Sequence, residues 1–208
     1  MDDLDMLFGI LFVIVLIISG ISAIIGASKA KRVHKNKKVL ITEKERAGIR
    51  GEVRAAKIIN NVLESGDYLF QNIEIEVDNR PAEFDSVVVN KYGVFIFEVK
   101  NYKGTLEGDE DDYEWKKYSV SEAGNTYVKT VKNPIKQVKR EIYLMSEYLK
   151  RHGVKVWVKG YAMLMNGNSP VFSEHLVTSS RDIDFAVHTS DRKILTQNEV
   201  NRIIKLLE

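Results

Sequence analysis

Hydrophobic and polar positions split the 208-residue chain into two unequal parts. From Met6 to Ser28, "MLFGILFVIVLIISGISAIIGAS", no residue is charged. Beyond it, apolar residues recur with the periods of helices and strands. Thr42 and Glu45 have capping-box spacing, which predicts a helix running to about Glu64. The alternation in "YLFQNIEIEV" (68–77) predicts a strand. Residues 83–101, "EFDSVVVNKYGVFIFEVKN", carry two apolar runs around Asn90–Gly93, which predicts two antiparallel strands and a tight turn. The acidic stretch "EGDEDDYEW" predicts an exposed loop between sheet strands, without the spacing or glycine of a calcium loop.

In "NPIKQVKREIYLMSEYLKRHG", Asn133 suits a helix N-cap, Pro134 the first helical position and Gly153 the stop. Ile135, Val138, Ile142, Met145 and Leu149 form the apolar stripe of that helix. "VKVWVKGYAMLMN" reads as one or two further strands. Thr196 with Glu199 opens a last helix, with Val200, Ile203, Ile204 and Leu207 toward the core. This order predicts an α/β domain over 42–208, with a central mixed sheet flanked by helices.

The uncharged run changes the picture of the first 28 residues. It is long enough for one helix to cross a hydrocarbon core. A cleaved signal peptide fits poorly, because Asp2, Asp3 and Asp5 precede the run instead of lysines. Residues 1–28 are therefore expected to be a retained transmembrane anchor. In residues 29–38, "KAKRVHKNKK", six Lys and Arg residues stand with no acid. That asymmetry predicts the N-terminus outside and the rest in the cytoplasm. Residues 29–41 read as a basic linker, suited to anionic lipid headgroups before nucleic acid.

Composition excludes several chemistries. There is no cysteine, hence no disulfide framework and no thiolate metal site. The four histidines are scattered, and no zinc, phosphate-loop or nucleophile-elbow motif occurs. What remains is the stretch at 83–101. Alternation puts Val94, Ile96, Glu98 and Lys100 on one strand face and Phe95, Phe97 and Val99 on the other. Hairpin pairing then brings Asp85 near Glu98. Two carboxylates so close resist ionising together, and a divalent cation relieves that repulsion. Oxygen ligands alone favour Mg²⁺, then Mn²⁺. Lys100 can steady charge developing on a phosphate. A surface Glu–Lys pair beside an ordinary strand aspartate is the bland alternative.

The wider set of motifs points further. They are Gly48-x-x-Gly51-Glu52, Phe84-Asp85 before "SVVV", "GVFIFEVKNYKG", Glu114-Trp115 and Asn133-Pro134-Ile135-x-Gln137. In this order, over roughly 45–165, they resemble the nuclease-related domain (NERD) family. The resemblance implies the PD-(D/E)xK, restriction-endonuclease-like fold and a metal-dependent nuclease site. It carries over Glu52, Asp85, Glu98, Lys100 and Gln137 as catalytic candidates. Asp85 and Glu98 are the expected metal ligands, with the Val99 carbonyl as a third and Glu52 direct or through water. Glu52 reads equally as a solvated helix glutamate, and Gln137 as a helix-surface amide. Tyr102 and Lys103 follow as candidates for backbone phosphate.

Three function classes result. The first is a membrane-anchored, Mg²⁺-dependent nuclease acting on nucleic acid, DNA before RNA. The second is a non-catalytic module on the same fold that grips nucleic acid or protein. The third is a membrane scaffold. The acid and lysine set favours the first, since binding alone does not need paired carboxylates. The near-neutral net charge of +2 leans toward the second.

Overall fold

Two strands, buried over 86–90 and 93–99, make the centre of the molecule. In the computed structural model, which describes residues 42–190 and 194–208, these are β2 (Arg80–Asn90) and β3 (Gly93–Lys100). They pair antiparallel from Asn90↔Gly93 to Ser86↔Phe97, as the hairpin pattern predicts. The turn is held by Asn90, whose Oδ1 accepts from the Tyr92 N–H at 2.8 Å while its Nδ2 donates to the Val187 carbonyl. Before them comes α1 (Glu43–Asn60) and then β1 (Tyr68–Val77), antiparallel to β2. Asp78 and Asn79 join β1 to β2 with φ of 54 and 57, the two left-handed residues of a type I′ turn.

The chain then builds a second, three-stranded antiparallel sheet from β4 (Thr105–Glu107), β5 (Glu114–Val120) and β6 (Thr126–Lys132). It returns through α2 (Pro134–Arg151) to β7 (Val158–Leu164), which lies parallel to β3. A two-residue strand β8 (Leu176–Val177), α3 (Ser180–His188) and α4 (Gln197–Leu207) complete it. The main sheet runs β1-β2-β3-β7-β8. Antiparallel and parallel pairs together make it mixed, with helices on both faces.

Alternation along β3 sorts the core. Val94 and Ile96 join Val87, Val89, Met145, Leu149, Val200 and Ile203 under α2 and α4. Phe95, Phe97 and Val99 join Val88, Ala55, Ile59, Ile183 and Val187 under α1 and α3. Gly160 on β7 lets α2 lie close, since a Cβ there would meet Val138 Cγ1 at 2.7 Å.

Helix α1 stops at Asn60, short of the expected Glu64. Asn60 and Asn61 favour local side-chain bonds over helix, and the Val62 N–H already bonds the Ile59 carbonyl in a tighter turn. Of 154–166, only Val158–Leu164 forms a strand. The acidic stretch does lie in a loop, between β4 and β5, but its backbone is tied down. Asn133 Nδ2 donates to the carbonyls of Asp109, Glu110 and Asp112, while its Oδ1 caps α2 at the Ile135 N–H. The apolar run 6–28 and basic run 29–38 lie outside the described residues. Among the described residues, no helix is long and apolar enough to cross a membrane.

One ion-paired histidine ties α3 to the loop after α1. His188 Nε2 meets Asp67 Oδ2 at 2.9 Å, and Nδ1 meets Asp184 Oδ1 at 2.7 Å. Burial works against its charge, but the two carboxylates outweigh burial and hold its pKa above 6.5. A raised folded pKa stabilises the fold fully below the unfolded value and loses that effect as pH rises through the folded one. His188→Gln should therefore lower the melting temperature clearly at pH 5.5. The deficit should shrink at pH 9. Thermal melts at the two pH values check this, and a deficit independent of pH would contradict it.

Candidate active site

The candidate residues meet at the open end of the β2–β3 pair. One step beyond Ser86↔Phe97, Asp85 stands opposite Glu98 on the face covered by α2. The ladder to β1 is also interrupted here. Asn72, across from Asp85, takes a left-handed φ of 50 between Gln71↔Ser86 and Ile73↔Phe84. Asp85 Oδ2 accepts from the Val99 N–H at 2.8 Å.

Glu52, Asp85, Val99, Lys100 and Gln137 line one cleft of about 880 Å³, together with Tyr102 and Lys103. Gly51 makes this approach of α1 feasible. A Cβ there would stand 2.8 Å from the Asn101 Cβ, and the Asn101 amide bonds the Ala47 carbonyl at 2.8 Å. The Gly48-x-x-Gly51-Glu52 pattern thus closes a helix onto a strand end and turns Glu52 into the cleft. Glu98 lies beneath, 2% exposed, and pairs with the Lys100 ammonium.

Electrostatics in this cluster are unfavourable to negative charge. Burial, then the Glu98 carboxylate, lift Asp85 to about 6, against the pull of the Val99 N–H and Lys100. For Lys100, burial opposes the charge, but Glu98 outweighs it and holds the ammonium above its ordinary range. It is a fixed positive charge at neutral pH.

Glu141, on α2, was not among the sequence candidates. Burial and then the neighbouring Glu98 push its carboxyl up to about 9. It is a neutral acid at physiological pH, accepting from Gln137 Nε2 at 3.1 Å. A hydrogen bond with Glu98 adds to the rise, which suits a carboxyl that keeps its proton. The signal was present in the sequence. Glu141 falls three residues after Val138 on the apolar stripe and four after Gln137, where a solvated glutamate does not belong. Lys117 and Lys129, on the opposite wall of the cleft, were also missed, because their strands carry little apolar alternation.

The donor chemistry suits a hard divalent cation. Crowded carboxylates resist ionisation, and among the described residues that line the cleft there is no His, Cys or Met. Side chains alone do not make a cage. Among the described residues, no group of three or more His, Cys, Asp or Glu is placed to hold a metal ion. Asp85 lines the cleft with Glu52, Glu114 and the main chain of Val99, and the Glu98 carboxylate lies beneath it. Backbone N–H and C=O of one strand residue point the same way, so Val99 O faces Asp85 beyond the last β2–β3 pair.

A central mixed sheet flanked by helices is consistent with a nuclease-like fold. The family described as "Nuclease-related domain" (NERD) matches residues 47–165, more than half of the chain. The chain belongs to this family. No curated protein and no solved structure compared with the chain matches it.

A neutral Glu141 has a measurable cost. Its folded pKa lies above the unfolded value of 4.5, so its contribution is intact below about 4.5 and erodes as pH rises toward about 9. Glu141→Gln keeps the shape and removes the ionisable group. The variant should gain roughly 4–5 kcal/mol over wild type at pH 8 and nothing at pH 4. Urea unfolding at both pH values measures it, and equal stability at pH 8 would refute the neutral-acid assignment.

Proposed function

We propose that this chain is a membrane-anchored, divalent-metal-dependent nuclease that hydrolyses phosphodiester bonds in nucleic acid, DNA before RNA. The observation that carries the reading is the convergence of Asp85, Glu98 and Lys100, from two strands, at one cleft with Glu52 and Gln137. Membership of a nuclease-related family supports it. Mg²⁺ or Mn²⁺ held by Asp85, Glu98 and the Val99 carbonyl would lower the pKa of a water and polarise a phosphoryl oxygen.

The protein groups then have distinct work. Lys100 offsets charge that builds on the phosphoryl oxygens as water oxygen bonds phosphorus and the ester P–O bond breaks. The water's proton leaves to solvent, and the departing alkoxide is protonated. Gln137, tied to Glu141, presents its amide to the phosphate or the water. Glu52 closes the cleft from α1 and would reach the cation directly or through water. The uncharged run 6–28 serves as the membrane span, and residues 29–38 keep the catalytic domain on the cytoplasmic side beside anionic headgroups.

A second reading, a non-catalytic module gripping nucleic acid or protein, draws on one observation. Glu98 is already engaged with Lys100, and no cage of three acids stands ready among the described residues. A single set of assays separates the two. The full-length chain in detergent should bind Mn²⁺ by calorimetry, more weakly as pH falls through about 6, where Asp85 takes a proton. Asp85→Asn with Glu98→Gln should abolish the heat. Lys100→Gln, which still offers Glu98 a donor, should retain metal and lose about 10²–10³ in cleavage rate. Equal Mn²⁺ heats from wild type and the double variant would sink the metal site. Metal binding without cleavage by wild type would favour the binding module.

Topology is tested separately. In right-side-out vesicles, external protease should leave a tag after Glu208 intact and should cleave it only after permeabilisation. Digestion before permeabilisation would reverse the orientation.

A further inference from the structure

The second sheet carries charges that the acid cluster does not use. On its outer face Glu107 gathers the partners. Lys116 pairs with Glu107 at 3.8 Å, and the Tyr118 hydroxyl donates to the same carboxylate at 2.6 Å. The inner face differs. Alternation and the unbroken β5–β6 register put Trp115, Lys117 and Ser119 on it, opposite Val131, Lys129 and Tyr127.

Trp115 and Val131 root this face in the core with Leu106 and Ile135. Next outward, Lys117 and Lys129 stand directly across from each other. Like charges so placed destabilise a sheet. Neither ammonium has a carboxylate partner among the described residues, yet both line the cleft that holds Asp85 and Lys100. A further pleat outward, roughly 7 Å along the strand, the same face ends in Tyr127, 52% exposed.

We infer that the inner face of the β5–β6 ribbon seats a single-stranded stretch of nucleic acid, with Lys117 and Lys129 on backbone phosphate and Tyr127 stacked on a base. This rests on the nuclease reading and names the form of substrate that it takes. A backbone phosphate against each ammonium group offsets their mutual repulsion. Cationic side chains with an exposed ring alongside are the arrangement that holds single strands without sequence preference, because every base has a stacking face and only unpaired bases offer it. Phosphates fixed there lead the strand into the cleft toward Asp85.

The test uses the full-length chain in detergent, with a fluorescent oligothymidylate of about 20 nucleotides, in EDTA so that no cleavage occurs. Anisotropy is followed across a salt series. Lys117→Gln with Lys129→Gln should weaken binding and flatten the slope of log K against log salt by about 1.4, about 0.7 for each single-strand phosphate that is no longer neutralised. Tyr127→Ala should weaken single-strand binding about fivefold or more, with Tyr127→Phe restoring it. A duplex of equal length should bind less tightly and be indifferent to Tyr127→Ala. Thermal melts check that each variant is folded.

An unchanged salt slope in the double lysine variant overturns the phosphate seat. A Tyr127→Ala variant that binds single strands like wild type, or loses duplex and single strand equally, overturns the single-strand assignment. Because binding is read without metal, failure of cleavage in Mg²⁺ or Mn²⁺ counts against the nuclease reading alone.

Discussion

Glu98 lies two residues before the end of the central strand, 2% exposed, on the face covered by α2, and the pairing of that carboxylate governs its surroundings. A buried carboxylate is expensive unless charge and hydrogen bonds meet it. Lys100, two residues on and on the same face, supplies the charge. Glu141 stays protonated above it and so adds no second negative charge. Leaving such a carboxylate without its partner costs about 3–5 kcal/mol. The strand end, the lysine and the middle of α2 therefore have to be placed together or not at all.

Several unrelated-looking features serve that placement. Gly160 lets α2 lie close on β7, which brings Gln137 and Glu141 down onto the strand end. Asn133 starts α2 and at the same time fastens the acidic loop, whose carboxylates then meet Lys136 and Lys139 outside the cleft. Gly51 brings α1 in from the opposite face, with Glu52. The second sheet closes the remaining side with lysines. The result is a cleft with an acidic floor and a basic wall, a charge separation suited to holding a cation and a polyanion together.

Much of this architecture was legible because its causes are local. The β2–β3 hairpin follows from two apolar runs and a four-residue turn, and its register puts Asp85 across from Glu98 without further information. Helices α2 and α4 follow from Asn133-Pro134 and from the Thr196–Glu199 capping box, which the structure contains. The strands β5 and β6 were not legible. Only Trp115 in "EWKKYSV" is buried, and no residue in "TYVKTVK" is, so neither shows the alternation that marks a strand. Helix α3 spans nine residues, too short for a clear period, though its Ser179–Asp182 capping box was there to find. Glu141 was overlooked because a glutamate on a lysine-rich helix reads as solvated.

By itself the sequence determined the alternation of the central strands, the caps of the main helices, and the set of acids and lysine that places the chain in its family. These depend on neighbours within a few residues, where period and steric preference decide. Only the tertiary structure decided which charges are satisfied. Lys116 and Lys117 are adjacent in the chain, yet one faces Glu107 and the other an unpartnered lysine across the ribbon. Glu98 and Glu141 are 43 positions apart (141 − 98), and only packing of α2 on the sheet keeps one of them neutral. Protonation and pairing depend on distance and burial in space, and those quantities do not exist until the helices have closed on the sheet.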